Sequence, residues 1–167
     1  MKTISLLITI LLSHLATAQY FTKEKAEIEN VIQQFKESIV KKDSAAFYGL
    51  FHEGPVVMIG IIKNRSPQKR LEADPGNTKN YFSDTYKNFF RYVMEKGRKE
   101  EKFRNITITN DDVTGSVTFK YVFLEENILQ NWGTEYWQLI KAEGKWKIVS
   151  ITYSYENAKF FPKPFRY

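Results

Sequence analysis

The sequence predicts a single α+β domain, and three observations carry that prediction. Apolar residues recur at helical spacing in the N-terminal half, the period switches to strand alternation after Gly97, and the chain has no cysteine. Without disulfides, order must come from a packed core. The 13 Phe, 10 Tyr and 3 Trp supply one, at about 25 cal/mol for each Å² of apolar surface hidden from water.

The first 18 residues stand apart from this domain. Lys2 provides a short positive start, Ile4 to Leu12 is an apolar run carrying only small hydroxyl residues, and Ala16-Thr17-Ala18 has the small-x-small pattern of a signal-peptidase site. A membrane span needs roughly 20 apolar residues, and Ser13 and His14 end this run too early. The expectation is a signal peptide cleaved after Ala18, a mature chain beginning at Gln19, export to the periplasm or cell exterior, and no stable membrane anchor. Loss of Lys2 lowers the formal net charge from +6 to +5.

From Lys23 to Lys42 the residues Ile28, Val31, Ile32, Phe35 and Ile39 form one apolar stripe, which predicts a helix. Thr22 is placed to cap its start, and Lys41 and Lys42 suit the negative end of its dipole. Asp43 then reads as the N-cap of a short second helix, Ser44 to Phe51, stopped by Gly54-Pro55. Val56 to Ile62 is short, apolar and rich in β-branched residues, so a buried strand is expected. Residues 63–79 are basic and turn-rich, with Ser66-Pro67 and Asp74-Pro75-Gly76-Asn77, and read equally as a hairpin strand or a short helix. Asn80 to Glu95 has helical spacing of Tyr81, Phe82, Tyr86, Phe89, Phe90 and Val93.

Four strands are expected after Gly97. Phe103 to Thr109 alternates up to the turn Asn110-Asp111-Asp112. In Ser116 to Leu124, Val117, Phe119, Tyr121 and Phe123 share one face, opposite Thr118 and Lys120. A loop, Glu125 to Gly133, leads to a strand Thr134–Lys141. The turn Ala142-Glu143-Gly144-Lys145 joins this to Trp146–Tyr155. The domain is placed at residues 19–158, followed by an extended, proline-containing tail at 159–167.

The run Glu135-Tyr136-Trp137-Gln138-Leu139-Ile140-Lys141 through Gly144-Lys145-Trp146-Lys147-Ile148, and the segment Phe47-Tyr48-Gly49-Leu50-Phe51-His52, resemble the NTF2-like superfamily, including its SnoaL-like members and many exported bacterial proteins. The resemblance spans about residues 23–155. It implies a cone: a strongly bent antiparallel sheet wrapped around about three helices of the N-terminal half, open at one end into a pocket. It also implies a homodimer through the outer sheet face. It says little about activity, because chemistry resides in the pocket rather than in the fold.

Several chemistries lack their parts. With no cysteine, and His52 the one histidine beyond residue 18, a Cys/His zinc site lacks its ligand set; a carboxylate-only site stays open but has no spacing behind it, and no metal or cofactor is expected. No Gly-x-Ser-x-Gly or phosphate-cradling loop appears. What remains is acid–base chemistry. His52 stands where the second helix hands over to the first strand, and an imidazole pKa of about 6.5 suits proton transfer; the plainer reading is a helix-end or solvent-facing histidine. Glu135 shares a strand face with Trp137 and Leu139, which the resemblance turns inward, and a carboxyl among aromatic rings has its pKa raised. The plainer reading is an exposed or structurally paired carboxylate. The Asp base and the Tyr-plus-Asp oxyanion hole of ketosteroid isomerases find no counterpart.

Tyr81, Tyr86, Tyr121, Trp137 and the segment Asn131-Trp132-Gly133 are candidates to line a pocket for a flat apolar or sugar-like ligand, although strand and helix spacing also explains all but Trp132 as core. The basic groups Lys63, Arg65, Lys69, Arg70 and Lys96, Arg98, Lys99 read as a solvated face. The mild net charge, interleaved acidic residues and export argue against nucleic acid as a partner.

Three functions follow from these readings: a non-catalytic small-molecule binding or accessory protein, a cofactor-free isomerase, cyclase or dehydratase using Glu135 or His52, and a structural dimerising module. Polar side chains converging in a cavity with shifted pKa values would favour the second. A filled, purely apolar cone would favour the third.

Overall fold

The computed structural model describes residues 23–63, 69, 71–72, 75–76 and 79–162. The expected signal peptide, the expected cap Thr22, most of the segment 64–78 and residues 163–167 of the tail lie outside them. Helix α1 covers residues 23–41 and buries the whole predicted stripe, with Ile28 and Ile39 fully covered. Helix α2 is shorter than predicted, Ser44–Tyr48, and Asp43 caps it by accepting the Ala46 N–H at 2.9 Å. Phe51 has left the helix and forms a parallel bridge with Ile148.

Strand β1 (Val57–Ile62) forms as expected but is not buried on both faces: Met58 and Gly60 are covered, whereas Val57 and Ile61 are exposed. The predicted helix 80–95 is corrected. Tyr81–Asp84 is strand β2, paired antiparallel with β1, and only Tyr86–Met94 is helical (α3). The cause is local: the Thr85 hydroxyl accepts the Asn88 N–H at 3.1 Å and fixes the helix start there.

Strands β3 (Lys99–Asn110), β4 (Thr114–Glu125), β5 (Ile128–Ala142) and β6 (Lys145–Asn157) are longer than their sequence signals. The predicted loop 125–133 shrinks to a two-residue turn in which Glu126 and Asn127 take positive φ, and Trp132 consequently lies in a strand. Glu143 and Gly144 form the matching turn between β5 and β6.

The six strands form one sheet in the order β2-β1-β6-β5-β4-β3. It is mixed rather than wholly antiparallel, because β1 lies parallel to β6. Register shifts interrupt the ladders at Arg104/Thr107, Phe123/Leu124 and Gln138/Leu139, the kind of irregularity that bends a sheet. The concave face closes on α1 and α3. Phe35 packs on Phe47 at 5.0 Å and on Trp137 at 4.8 Å, and Phe47 on Phe90 at 4.5 Å, so rings from helices and sheet make one core. Among the described residues no helix is long and apolar enough to cross a membrane.

Candidate functional site

The concave face is not completely filled. A cavity of about 160 Å³ lies where the sheet curls over the helices, and every strand contributes to it. Met58 comes from β1, Phe82 from β2, Glu101 from β3, and Tyr121 and Phe123 from β4. Asn131 and Glu135 come from β5, with Ile151, Tyr153 and Tyr155 from β6. Phe35 of α1 and Phe89 and Tyr92 of α3 close the remaining side. Tyr121, Phe123, Glu101 and Glu135 are buried, whereas Phe82, Asn131, Tyr153 and Tyr155 are only half-buried and form the outer end.

Glu101 and Glu135 are the polar feature of this cavity, 4% and 6% exposed. The sheet brings them together from β3 and β5 across β4, where Glu101 is paired with Phe123 and Glu135 with Phe119. Burial pushes both carboxyls up. Glu135 rises to about 7, held from going higher by the Trp137 indole, which donates to its Oε2 at 2.7 Å, and by a hydrogen bond from Glu101. Glu101 is raised well above the usual range by burial, then by the neighbouring Glu135 charge and hydrogen bond. Two carboxyls this close in low dielectric do not both ionise readily. One proton therefore stays with the pair, in the hydrogen bond between Glu101 and Glu135.

Around the pair stand phenols that burial keeps protonated. The Tyr121 hydroxyl donates to the Ser154 carbonyl at 3.2 Å, and the pKa values of Tyr121 and Tyr153 are raised, first by burial and then by Glu135. At the rim, burial and a hydrogen bond to Glu125 push Tyr92 up to about 12. Glu125 also pairs with Lys99 at 2.9 Å. Lys99 is therefore no part of a solvated basic face; it is buried and neutralised.

The other sequence candidates are dispersed. Trp137 is fully buried beneath the cavity, where it orients Glu135 and meets Phe119 edge-on at 5.0 Å. Trp132, next to Asn131, is turned by strand alternation to the opposite face; its indole donates to the Phe161 carbonyl at 3.0 Å and Lys63 lies 4.4 Å above its ring. Tyr86 stacks on Phe51 at 4.2 Å, and Tyr81 is half exposed on the edge strand. His52 does not reach the cavity. It sits in a surface cleft beside the β5–β6 turn, its Nδ1 accepting the Gly54 N–H at 3.0 Å. Among the described residues no group of three or more His, Asp or Glu is placed to hold a metal ion.

Sequence reasoning passed over Glu101. It lies in Lys99-Glu100-Glu101-Lys102, where every residue is charged and no hydrophobic alternation announces a strand. The available signal was parity: extending the strand back from Phe103 turns Glu101 and Lys99 inward together. Tyr153 and Tyr155 were likewise readable as alternating with Ile151.

A family model described as "Putative lumazine-binding" matches residues 23–154. No curated protein sequence matches the chain. Among solved structures, one described as a "Putative Scytalone Dehydratase" from Novosphingobium aromaticivorans is 13% identical with a TM-score of 0.62, covering 83% of this chain and 88% of that one. An NTF2-like protein with a cystatin-like fold from the same species is 11% identical with a TM-score of 0.61, covering 86% and 88%. An NTF2-like protein of unknown function from Shewanella baltica is 16% identical with a TM-score of 0.54, covering 81% and 96%. At these identities the three structures speak for the fold alone.

Proposed function

The chain belongs to this lumazine-binding family, an NTF2-like one, and on that footing we propose that it binds a small molecule in the cone, with the Glu101–Glu135 pair as the polar recognition element. The observation that carries the reading is an aromatic cavity enclosing two buried carboxyls at the convergence of all six strands. A protein that only needed a core would fill this space and would not retain two desolvated acids in it. The size limits the ligand. At about 160 Å³ the cavity matches engineered ones of roughly 150 Å³ that take benzene, and lies below the roughly 300–1,000 Å³ of drug-sized pockets. One ring with a short polar arm fits; a polycyclic ligand requires the half-buried rim to open.

The experiment is a thermal-shift and native mass-spectrometry screen with single-ring compounds of matched size, on protein beginning at Gln19. A ligand at 100 times its Kd adds about 2.7 kcal/mol of stability. No shift with neutral, anionic or cationic ring compounds would overturn the binding reading.

A second reading, cofactor-free acid–base chemistry of the isomerase, cyclase or dehydratase kind, is favoured by one observation. Glu135, at about 7, is poised to give or take a proton at neutral pH beside a carboxyl that keeps its own. If a turnover assay is found, Glu135→Gln abolishes it, and an unchanged rate removes Glu135 from that role. We also read the protein as exported, on the strength of Lys2, the apolar run and Ala16-Thr17-Ala18. Intact-mass measurement of the secreted chain tests this, with cleavage after Ala18 expected.

A further inference from the structure

We propose that the cavity selects an organic ammonium cation, a protonated amine carried on a single ring or an equivalent apolar body; this rests on the binding reading above and deepens it.

The argument starts from charge. None of the described residues lining the cavity is basic, while two carboxyls face into it. The nearest buried lysine, Lys99, is already committed to Glu125. Among the described residues the pocket therefore holds negative charge with no counter-ion, and bulk water is largely kept from the deep end where the acids sit. An isolated buried carboxylate is costly unless it is paired. Within the protein the shared proton is the compensation, and a bound cation would do the same more completely.

The walls point the same way. Eight aromatic rings line the space, among them Phe35, Phe82, Phe89, Tyr121 and Tyr153. The negative faces of such rings attract ammonium groups, most strongly when the group is desolvated. The fold already uses this contact at the rim, where the Lys99 ammonium lies 4.6 Å from the centre of the Tyr92 ring. An anion finds no cationic side chain among the described lining residues, only neutral donors such as Asn131 and Tyr153, and would meet two carboxyls. A neutral alcohol can hydrogen-bond the pair but leaves its charge uncompensated. Of ligands of this size, the ammonium alone satisfies both the rings and the acids.

The test uses three probes of nearly equal shape at pH 8, where an alkylammonium remains protonated: benzylamine, benzyl alcohol and benzoate. Binding is read by calorimetry on the mature chain. Benzylamine is expected to bind at least tenfold more tightly than benzyl alcohol, with benzoate weakest. Glu135→Gln should remove most of that preference. The wild-type comparison does not depend on the variant, so misfolding of Glu135→Gln leaves the proposal open to refutation. Alcohol or benzoate binding as tightly as the amine overturns the cation proposal and leaves the binding reading standing. Failure of all three to bind overturns both.

Discussion

Trp137 donates its indole N–H to the carboxylate of Glu135 two residues earlier on the same strand, at 2.7 Å. Strand alternation puts both side chains on the concave face, and the contact turns a core tryptophan into the group that orients the cavity's acid. Trp137→Phe keeps an aromatic ring and removes the donor. Because this hydrogen bond lowers the pKa of Glu135, the variant should titrate Glu135 above about 7. It should also lose about 1–3 kcal/mol of stability from imperfect packing. Carbon-13 titration of side-chain carboxyls and urea unfolding measure the two effects. An unmoved Glu135 midpoint would show that the indole has no hold on the acid.

Stability should peak in mildly acidic solution. Glu24, Asp111 and Glu125 have lowered pKa values, chiefly through hydrogen bonds from Lys141, from the Thr114 backbone and from Lys99 respectively. Their contribution is present above the ordinary carboxyl range and is lost as pH falls below it through their lowered native values. The cavity pair works in the opposite direction. A carboxyl raised on folding favours the native state below its unfolded value, and that advantage disappears between the ordinary 4.5 and about 7 for Glu135. Glu101 extends the same loss to higher pH. The neighbouring phenols, Tyr121 and Tyr153, titrate above this window. Calorimetric Tm values should therefore climb from pH 3, peak near the ordinary carboxyl range at about pH 4–5 and decline toward pH 8. The double variant Glu101→Gln, Glu135→Gln should flatten the upper limb; an equally steep decline in it would place the cause elsewhere.

Two glycines near the cavity should respond differently to alanine. A Cβ at Gly133 would stand 1.8 Å from the Ser154 carbonyl oxygen and 2.8 Å from the Tyr121 ring. The obstacle there is backbone of the adjacent strand, which cannot yield without parting β5 from β6. Gly133→Ala should cost more than about 3 kcal/mol or leave no soluble protein. A Cβ at Gly60 would instead meet the Phe82 ring, 2.4 Å away at its tip, and that half-buried ring has room to swing. Gly60→Ala should fold with a loss of about 1–2 kcal/mol and change ring-ligand affinity several-fold, because Phe82 walls the outer cavity. Equal stabilities for the two variants would contradict this distinction.

How much of this was legible in the sequence depended on whether one face of an element was apolar. The α1 stripe and the alternation of Val117, Phe119, Tyr121 and Phe123 were readable because each has one apolar side, and each is buried as expected. Asp43 was readable as a cap because a short acid before a helix has few other uses. Strand β2 was not, since Tyr81 and Phe82 fit a helical period with Tyr86 and Phe89, and only pairing with β1 and the Thr85 cap decide otherwise. Half of the acid pair was visible. Glu135 sits among apolar residues and stands out, whereas Glu101 is hidden in a charged run whose burial depends on β4 and β5, distant in sequence.

The start of α1 is tied to the far end of the sheet through one carboxylate. Glu24 Oε2 receives the Lys141 ammonium at 2.6 Å and the Trp146 indole N–H at 2.9 Å, so the first described helical turn is fixed to the β5–β6 hairpin. The partners are not equivalent. Lys141 also holds Glu27 at 2.9 Å, so Glu24→Gln leaves the lysine paired and leaves Trp146 an acceptor. It should cost about 0.5–1.5 kcal/mol. Lys141→Met leaves Glu24, fully covered in the fold, without its cation and should cost about 1–3 kcal/mol. In a double-mutant cycle the combined loss should fall short of the sum by at least 0.5 kcal/mol, on the order expected for residues in direct contact. Urea unfolding of the four proteins measures it, and strict additivity would mean that the contact does not couple helix to hairpin.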